Sequence, residues 1–201
     1  MQAITSVEEL ERHYGTPGQA SMIKVARRMT PAYRAWIGRS RLCILSTVGP
    51  EGTDASPRGD DGPVVREIDA GTLALPDWKG NERIDSLRNI VRDPRVSLMF
   101  LVAGSTNVVR VNGRARVTAD EGLRDSFARA GNRPRTVILI EIGEIYSQCA
   151  RALMRARIWA DGDQSEGLPT VGDILAEMSQ GAFDGAAYDA EWPSRAKETL
   201  W

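Results

Sequence analysis

Residues 72–111 read TLALPDWKGNERIDSLRNIVRDPRVSLMFLVAGSTNVVRV, and the fold turns on this stretch. A short apolar run at 73–75 enters Pro76-Asp77 and then Trp78-Lys79-Gly80-Asn81. Ile84, Leu87 and Val91 follow at spacings of three and four, which predicts a short helix with one apolar face. Asp93-Pro94 stops it, because the residue before a proline is pushed out of helical conformation. A strand at 95–101 then crosses Gly104-Ser105 into another at 108–111. Asn81 is a natural N-cap, and free N–H groups at a helix start favour an anion. Lys79 and Arg83 flank that start with cations suited to a phosphate. A solvated, charged helix start is the plainer reading of the same residues.

Working outward, the segment before this unit is also strand-like. Leu42-Cys43-Ile44-Leu45 is a continuous apolar run, as in a strand buried on both sides. Gly49-Pro50-Glu51-Gly52 is a turn. Residues 53–60 (TDASPRGD) are too polar for a core strand and too short for a helix. Arg58, between the stiff Pro57 and the permissive Gly59, is a second anion candidate. The alternative is a surface arginine paired with Asp60 or Asp61. Residues 64–68 form the next strand, turned back by Asp69-Ala70-Gly71.

After the central unit, Val109, Val111, Ala115 and Val117 alternate with Arg110, Asn112, Arg114 and Arg116, a period of two. Gly113 interrupts that pattern and marks a bulge or a close backbone approach. Residues 120–130 read as a crossing helix with Leu123 and Phe127 inside, and 137–145 (VILIEIGEI) as a long β-branched strand. Residues 149–159 (CARALMRARIW) are ambiguous between helix and an extended end.

Helices precede the strands. Ser6 and Glu9 resemble a capping box for a helix over 5–14 with Val7, Leu10 and Tyr14 on one face. A second helix is expected over 22–29. Thr30-Pro31 offers an N-cap and a proline at the first helical position of a third. Tyr33, Trp36 and Ile37 would be its apolar face, for core or dimer packing. Residues 161–169 are a polar linker, and Thr170 with Asp173 caps one further helix. The tail, 181–201, is expected to drape over the domain or a partner subunit. The organisation expected is a helical segment packing on the barrel (1–40), a barrel domain (41–160) and a C-terminal helix and tail (161–201).

The chain has 201 residues, enough for one domain with a proper core. A net charge of −1 argues against a basic nucleic-acid binder. The sequence has no apolar run of bilayer length and no basic-then-apolar leader, so no membrane role and a cytoplasmic location are expected. Cys43 and Cys149 sit far apart among apolar residues and read as buried free thiols, against a disulfide or a metal site. His13 is the only histidine, which argues against a histidine triad or a histidine-rich metal centre, and no metal is expected. Six or more short strands with few long helices suggest a small antiparallel barrel, mainly β with flanking helices in an α+β arrangement. Neither GxGxxG nor GxxxxGK[ST] occurs, so a Rossmann site and a P-loop are poor readings.

Five segments in order, SPRGD (56–60), LPDWKGNERIDSLRNI (75–90), DPRVSLMFLVAGS (93–105), RVNGRA (110–115) and CARALMRARIW (149–159), resemble the pyridoxamine 5′-phosphate oxidase-like proteins, in particular a bacterial subgroup of flavin-binding members. The resemblance covers roughly 5–160. It implies a six-stranded antiparallel split β-barrel, FMN-binding and homodimeric, with FMN in clefts between subunits. Arg58, Lys79, Asn81 and Arg83 match positions that hold the flavin phosphate, which agrees with the helix-start reading. Asp77 and Trp78 would lie near the flavin ring or ribityl chain. Asn112, with Arg155, Arg157 or Trp159, would close the cleft from the other subunit, against the plainer readings of a core tryptophan and solvated arginines. One of these cations or amides near the N1–C2=O end would favour reduced flavin.

The B6 enzyme's C-terminal arginine and histidine contacts have no match here, which argues against pyridoxamine phosphate as substrate. The resemblance implies an FMN-dependent oxidoreductase acting on a small molecule or on NAD(P)H. The alternatives are a flavin-binding or sequestering protein without turnover, and a structural dimer whose basic cleft is incidental. Split barrels of this kind also take deazaflavin F420 or haem. A lone His13 in a surface helix makes haem a weak reading. No residue stands out as a general acid or base.

Overall fold

Alternating burial along the strands builds one antiparallel sheet. The computed structural model describes residues 2–80 and 82–201. Its strands are β1 (Leu42–Gly49), β2 (Gly52–Gly59), β3 (Arg66–Asp69), β4 (Thr72–Asp77), β5 (Arg95–Leu101), β6 (Val108–Thr118) and β7 (Thr136–Gln148). They pair in the order β2-β1-β5-β6-β7-β4-β3, every pair antiparallel. The helices are α1 (Val7–Glu11), α2 (Gln19–Ile23), α3 (Pro31–Ile37), α4 (Asp85–Arg92), α5 (Glu121–Asp125), α6 (Arg151–Ala156), α7 (Val171–Met178) and α8 (Gly185–Glu198).

The sheet therefore has seven strands, not the expected six. The addition is β2, whose polar sequence hid it. Thr53, Asp54, Ser56 and Arg58 are tolerated because β2 is an edge strand with no fully buried residue, held by its register on β1 from Leu42↔Gly59 to Gly49↔Gly52. Pro57 costs nothing at an edge, where one row of N–H groups has no ladder partner. The edges β2 and β3 do not pair with each other, so the barrel is open. It curls nonetheless: Arg58 on β2 donates to Asp77 on β4 at 2.5 Å. Strands far apart in sheet order thus meet through side chains across a seam, and the candidate site lies there.

Inside the curl, Leu45, Leu73, Leu75, Leu98, Phe100, Ile138, Ile140 and Ile145 are fully buried. Burying each such side chain contributes about 1.5–3 kcal/mol. The β1 run is buried on one side only. Cys43, Leu45 and Thr47 point inward, while Leu42 is 40% exposed and Ile44 half-buried. Across the β1–β5 ladder Ile44 lies opposite Met99, so these residues form an apolar stripe on the outer face.

Gly113 behaves as expected. The β6–β7 register shifts between Asn112 and Gly113, and a Cβ at Gly113 would lie 2.0 Å from the Glu141 carbonyl oxygen. Thr30 accepts a hydrogen bond from the Tyr33 N–H and Pro31 opens α3, which puts Ile37 in the core. Ser6 caps α1, but Val7, Leu10 and Tyr14 stay exposed. Thr170 and Asp173 form a reciprocal capping box on α7. The tail holds a 14-residue helix, α8, packed on α7. Their closest approach is at Gly172 and Gly185, where either Cβ would meet the other's carbonyl oxygen at 2.2 Å.

Candidate functional site

The seam opens into a cavity of about 1030 Å³ between β2, the end of β4 and the start of α4. Of the residues expected at the site, Arg58, Asp77, Trp78, Lys79 and Arg83 all line it. The sequence set them up to 25 positions apart, and the curl of the sheet brings them together. Asn81 lies outside the described residues. The N-cap position of α4 falls on Ile84, at φ +54° and with no side-chain cap bond. Glu82 is also left-handed, at φ +63°. The helix begins at Asp85, later than the pattern predicted. A β-branched residue in this region is strained by about 1–3 kcal/mol. The apolar face shifts accordingly: Ser86 and Ile90 are buried and Leu87 half-buried, whereas Val91 is 76% exposed.

Arg58 has one charged end satisfied and one not. Its Nη1 donates to Asp77, both side chains being largely buried. Its Nε is buried and has no hydrogen-bond partner among the described residues. Cys43 faces Arg58 across the ladder. Burial pushes the Cys43 thiol up to about 12, although the guanidinium pulls the other way.

Acidic lining offsets much of the cationic lining. Asp77 is taken by Arg58, Asp85 by Arg83 at 2.8 Å, and Glu82 by Arg135 at 2.8 Å. Asp54 accepts from the buried Ser86 hydroxyl at 2.5 Å. Lys79 makes no ion pair among the described residues. An anion here would be held by particular donors, not by a net positive field: the Arg58 Nε–H, the Lys79 ammonium and the first amides of α4, to which the N-cap residue Ile84 gives no side-chain cap.

The same cavity also has an aromatic cluster. The Trp78 indole N–H donates to Asp60 at 3.0 Å. Asp60 is almost wholly buried and also accepts from Arg129 at 2.7 Å. Arg129 pairs with Asp61 as well. Trp201 reaches the same place, edge-on to Trp78 with ring centroids 5.2 Å apart, and the Arg129 guanidinium lies 4.9 Å from the Trp201 ring. Asp60, Arg129, Arg135 and Trp201 were not foreseen as site residues. From sequence Asp60 reads only as a partner for Arg58, and Arg129 and Trp201 carry no local signal.

The remaining expected residues do not line this cavity within one chain. Asn112 donates to Glu144 at 2.7 Å across β6 and β7. Arg155 is exposed on α6. Arg157 caps α6 in a left-handed conformation and pairs with Asp161. Trp159 is 40% exposed, so it is not a core tryptophan, and its indole N–H donates to the Ser105 carbonyl at 2.7 Å.

Residues 29–149 match the model of the pyridoxamine 5′-phosphate oxidase family. That is well over half of the chain, and the chain belongs to this family. No curated protein matches it in sequence. Among solved structures, the HupZ protein of Group A Streptococcus superposes with a TM-score of 0.49 at 16% identity, over 59% of this chain and 94% of that one. A Lactobacillus delbrueckii protein provisionally named as a pyridoxamine 5′-phosphate oxidase gives 0.47 at 21%, over 60% and 95%. An FAD-binding protein of Mesorhizobium loti gives 0.41 at 17%, over 61% and 94%. Scores this low transfer no residue roles.

Proposed function

We propose that this chain binds FMN in the seam cavity, as a homodimer, and works as an FMN-dependent oxidoreductase on a small molecule or on NAD(P)H. The observation that carries the reading is Arg58: a largely buried guanidinium whose Nε–H has no acceptor among the described residues, lining one cavity with the start of α4, in a member of this family. A phosphate supplies the acceptor that is missing.

When bound, the flavin would supply reversible hydride transfer. The chain's own residues do the rest. Arg58 and Lys79 bind the phosphate, with Arg83 at the rim. Asp77 holds the Arg58 guanidinium in place, and Asp60 holds the Trp78 indole. Asn112, Arg155, Arg157 and Trp159 would act on a partner's cavity. The outer stripe of Leu42, Ile44 and Met99 supports pairing, since a second chain would cover it.

The test is direct. Protein supplied with FMN should retain a yellow chromophore absorbing at about 450 nm through gel filtration, and elute at twice its 22.0 kDa mass. NADH or NADPH should bleach the colour and air restore it. A colourless eluate refutes the cofactor assignment. A colour that neither NADH nor NADPH bleaches refutes turnover with NAD(P)H and leaves a small-molecule substrate or a flavin-sequestering protein.

A further inference from the structure

The aromatic cluster of the cavity already holds a ring, and that ring belongs to the chain itself. Trp201 lies edge-on to Trp78, with Arg129 over its face and Asp60 fixing both Trp78 and Arg129 from below. The side chain is half-buried and lines the same cavity as Arg58. A flat ring laid between two indoles needs about 7 Å, twice the contact distance of aromatic carbons. The 5.2 Å between the Trp78 and Trp201 centroids leaves no such gap.

We propose that Trp201 is a built-in plug: it occupies a subsite on Trp78 for a planar aromatic ring, and such a ligand displaces it. The site would take an aromatic ring system carrying an anionic group, the ring replacing Trp201 on Trp78 and the anion directed toward Arg58. The segment that carries Trp201 can yield. Thr199 ends α8, Leu200 is 62% exposed, and the α7–α8 pair is joined to the barrel by an exposed linker over 161–169. Local contacts that are few and exposed open at low cost. The inference uses the cavity of the proposed function but does not require that its ligand be a flavin.

Seated about 80–90% of the time, the plug would raise a ring ligand's apparent Kd about five- to tenfold. The test compares wild type, Trp201→Ala and Trp201→Phe. Two ligands are titrated: FMN, and the anionic naphthalene dye 8-anilinonaphthalene-1-sulfonate, with the Trp78 and Trp201 indole N–H resonances followed by NMR. Without ligand, W201A should shift the Trp78 resonance, and W201F should shift it less. Either ligand should move the Trp201 resonance of wild type to its solvent-exposed position. W201A should bind both about five- to tenfold more tightly, and W201F about as wild type.

An unmoved Trp78 resonance in W201A overturns the plug. So does equal or weaker binding by W201A of whichever ligand binds. If the dye shows the expected difference and FMN binds neither chain, the plug stands and the flavin reading falls.

Discussion

Replacing Arg58 by Ala separates a structural arginine from a binding one. In the free chain it leaves the Asp77 carboxylate, whose side chain is only 15% exposed, without its cation. Stranding a mostly buried charged acceptor costs about 2 kcal/mol. For a chain of this size each kcal/mol lowers Tm by about 2–4 °C, so a fall of about 4–8 °C is expected. The same change removes a charge-assisted bond to the bound phosphate, worth about 1.5–3 kcal/mol, so the Kd for FMN should rise about 10- to 150-fold. Adding Asp77→Asn tells the two effects apart, because an amide needs no cation. The double variant should recover most of the lost Tm and none of the lost affinity. Circular-dichroism melts without flavin and fluorescence titration with FMN measure the two quantities. If R58A binds FMN within twofold of wild type, Arg58 does no more than neutralise Asp77, and the phosphate assignment is wrong.

Gly113→Ala should be the most damaging single methyl in the barrel. It collides with the Glu141 carbonyl at 2.0 Å, and both partners are backbone of the central β6–β7 ladder. The loss should be about 3 kcal/mol or more, read as a Tm fall of at least about 6 °C; a fall under about 2 °C would contradict the packing. Thiol titration of the native protein at pH 8 should count one reactive cysteine, Cys149, which is exposed and not buried as the sequence suggests. Cys43 is buried, its thiol pushed up to about 12, and should react only after unfolding. Asp93 accepts hydrogen bonds from Arg95 at the α4–β5 corner, which lower its carboxyl from 3.8 to about 2. Its folded value lies below its unfolded one. Its contribution to stability is therefore fully present above about pH 4 and lost as pH falls toward 2. An NMR titration of Asp93 with a midpoint near 3.8 would show that the bond does not persist in solution.

Some of this architecture could be read from short-range pattern, and some could not, for physical reasons. Residues 95–101 proved to be a strand with those bounds, because a core strand must be apolar wherever it faces inward. Gly113 was legible because only a residue without Cβ tolerates a carbonyl at that distance. Thr30-Pro31 and Thr170 were legible because caps are satisfied locally. β2 escaped because an edge strand draws its stability from one neighbour's ladder and needs no apolar face. α8 escaped because its helix rests on alanines and on the Gly172–Gly185 approach, not on a hydrophobic stripe.

The site divides along the same line. Lys79 and Arg83 were legible as flanks of a turn, and Arg58 as a stiffened strand-end cation, since each is a statement about adjacent residues. That Arg58 would answer Asp77 depends on a sheet curling until strands remote in its order meet, which no local window contains. The start of α4 was misplaced for a related reason. Glu82 and Ile84 adopt left-handed backbone that neither residue prefers, so the seam imposes the turn against local propensity. That strain lies at the start of α4, which lines the same cavity as Arg58. Ile84 at the N-cap offers the first amides of α4 no side-chain acceptor, and an anion held in the cavity would satisfy both them and the buried Nε–H of Arg58.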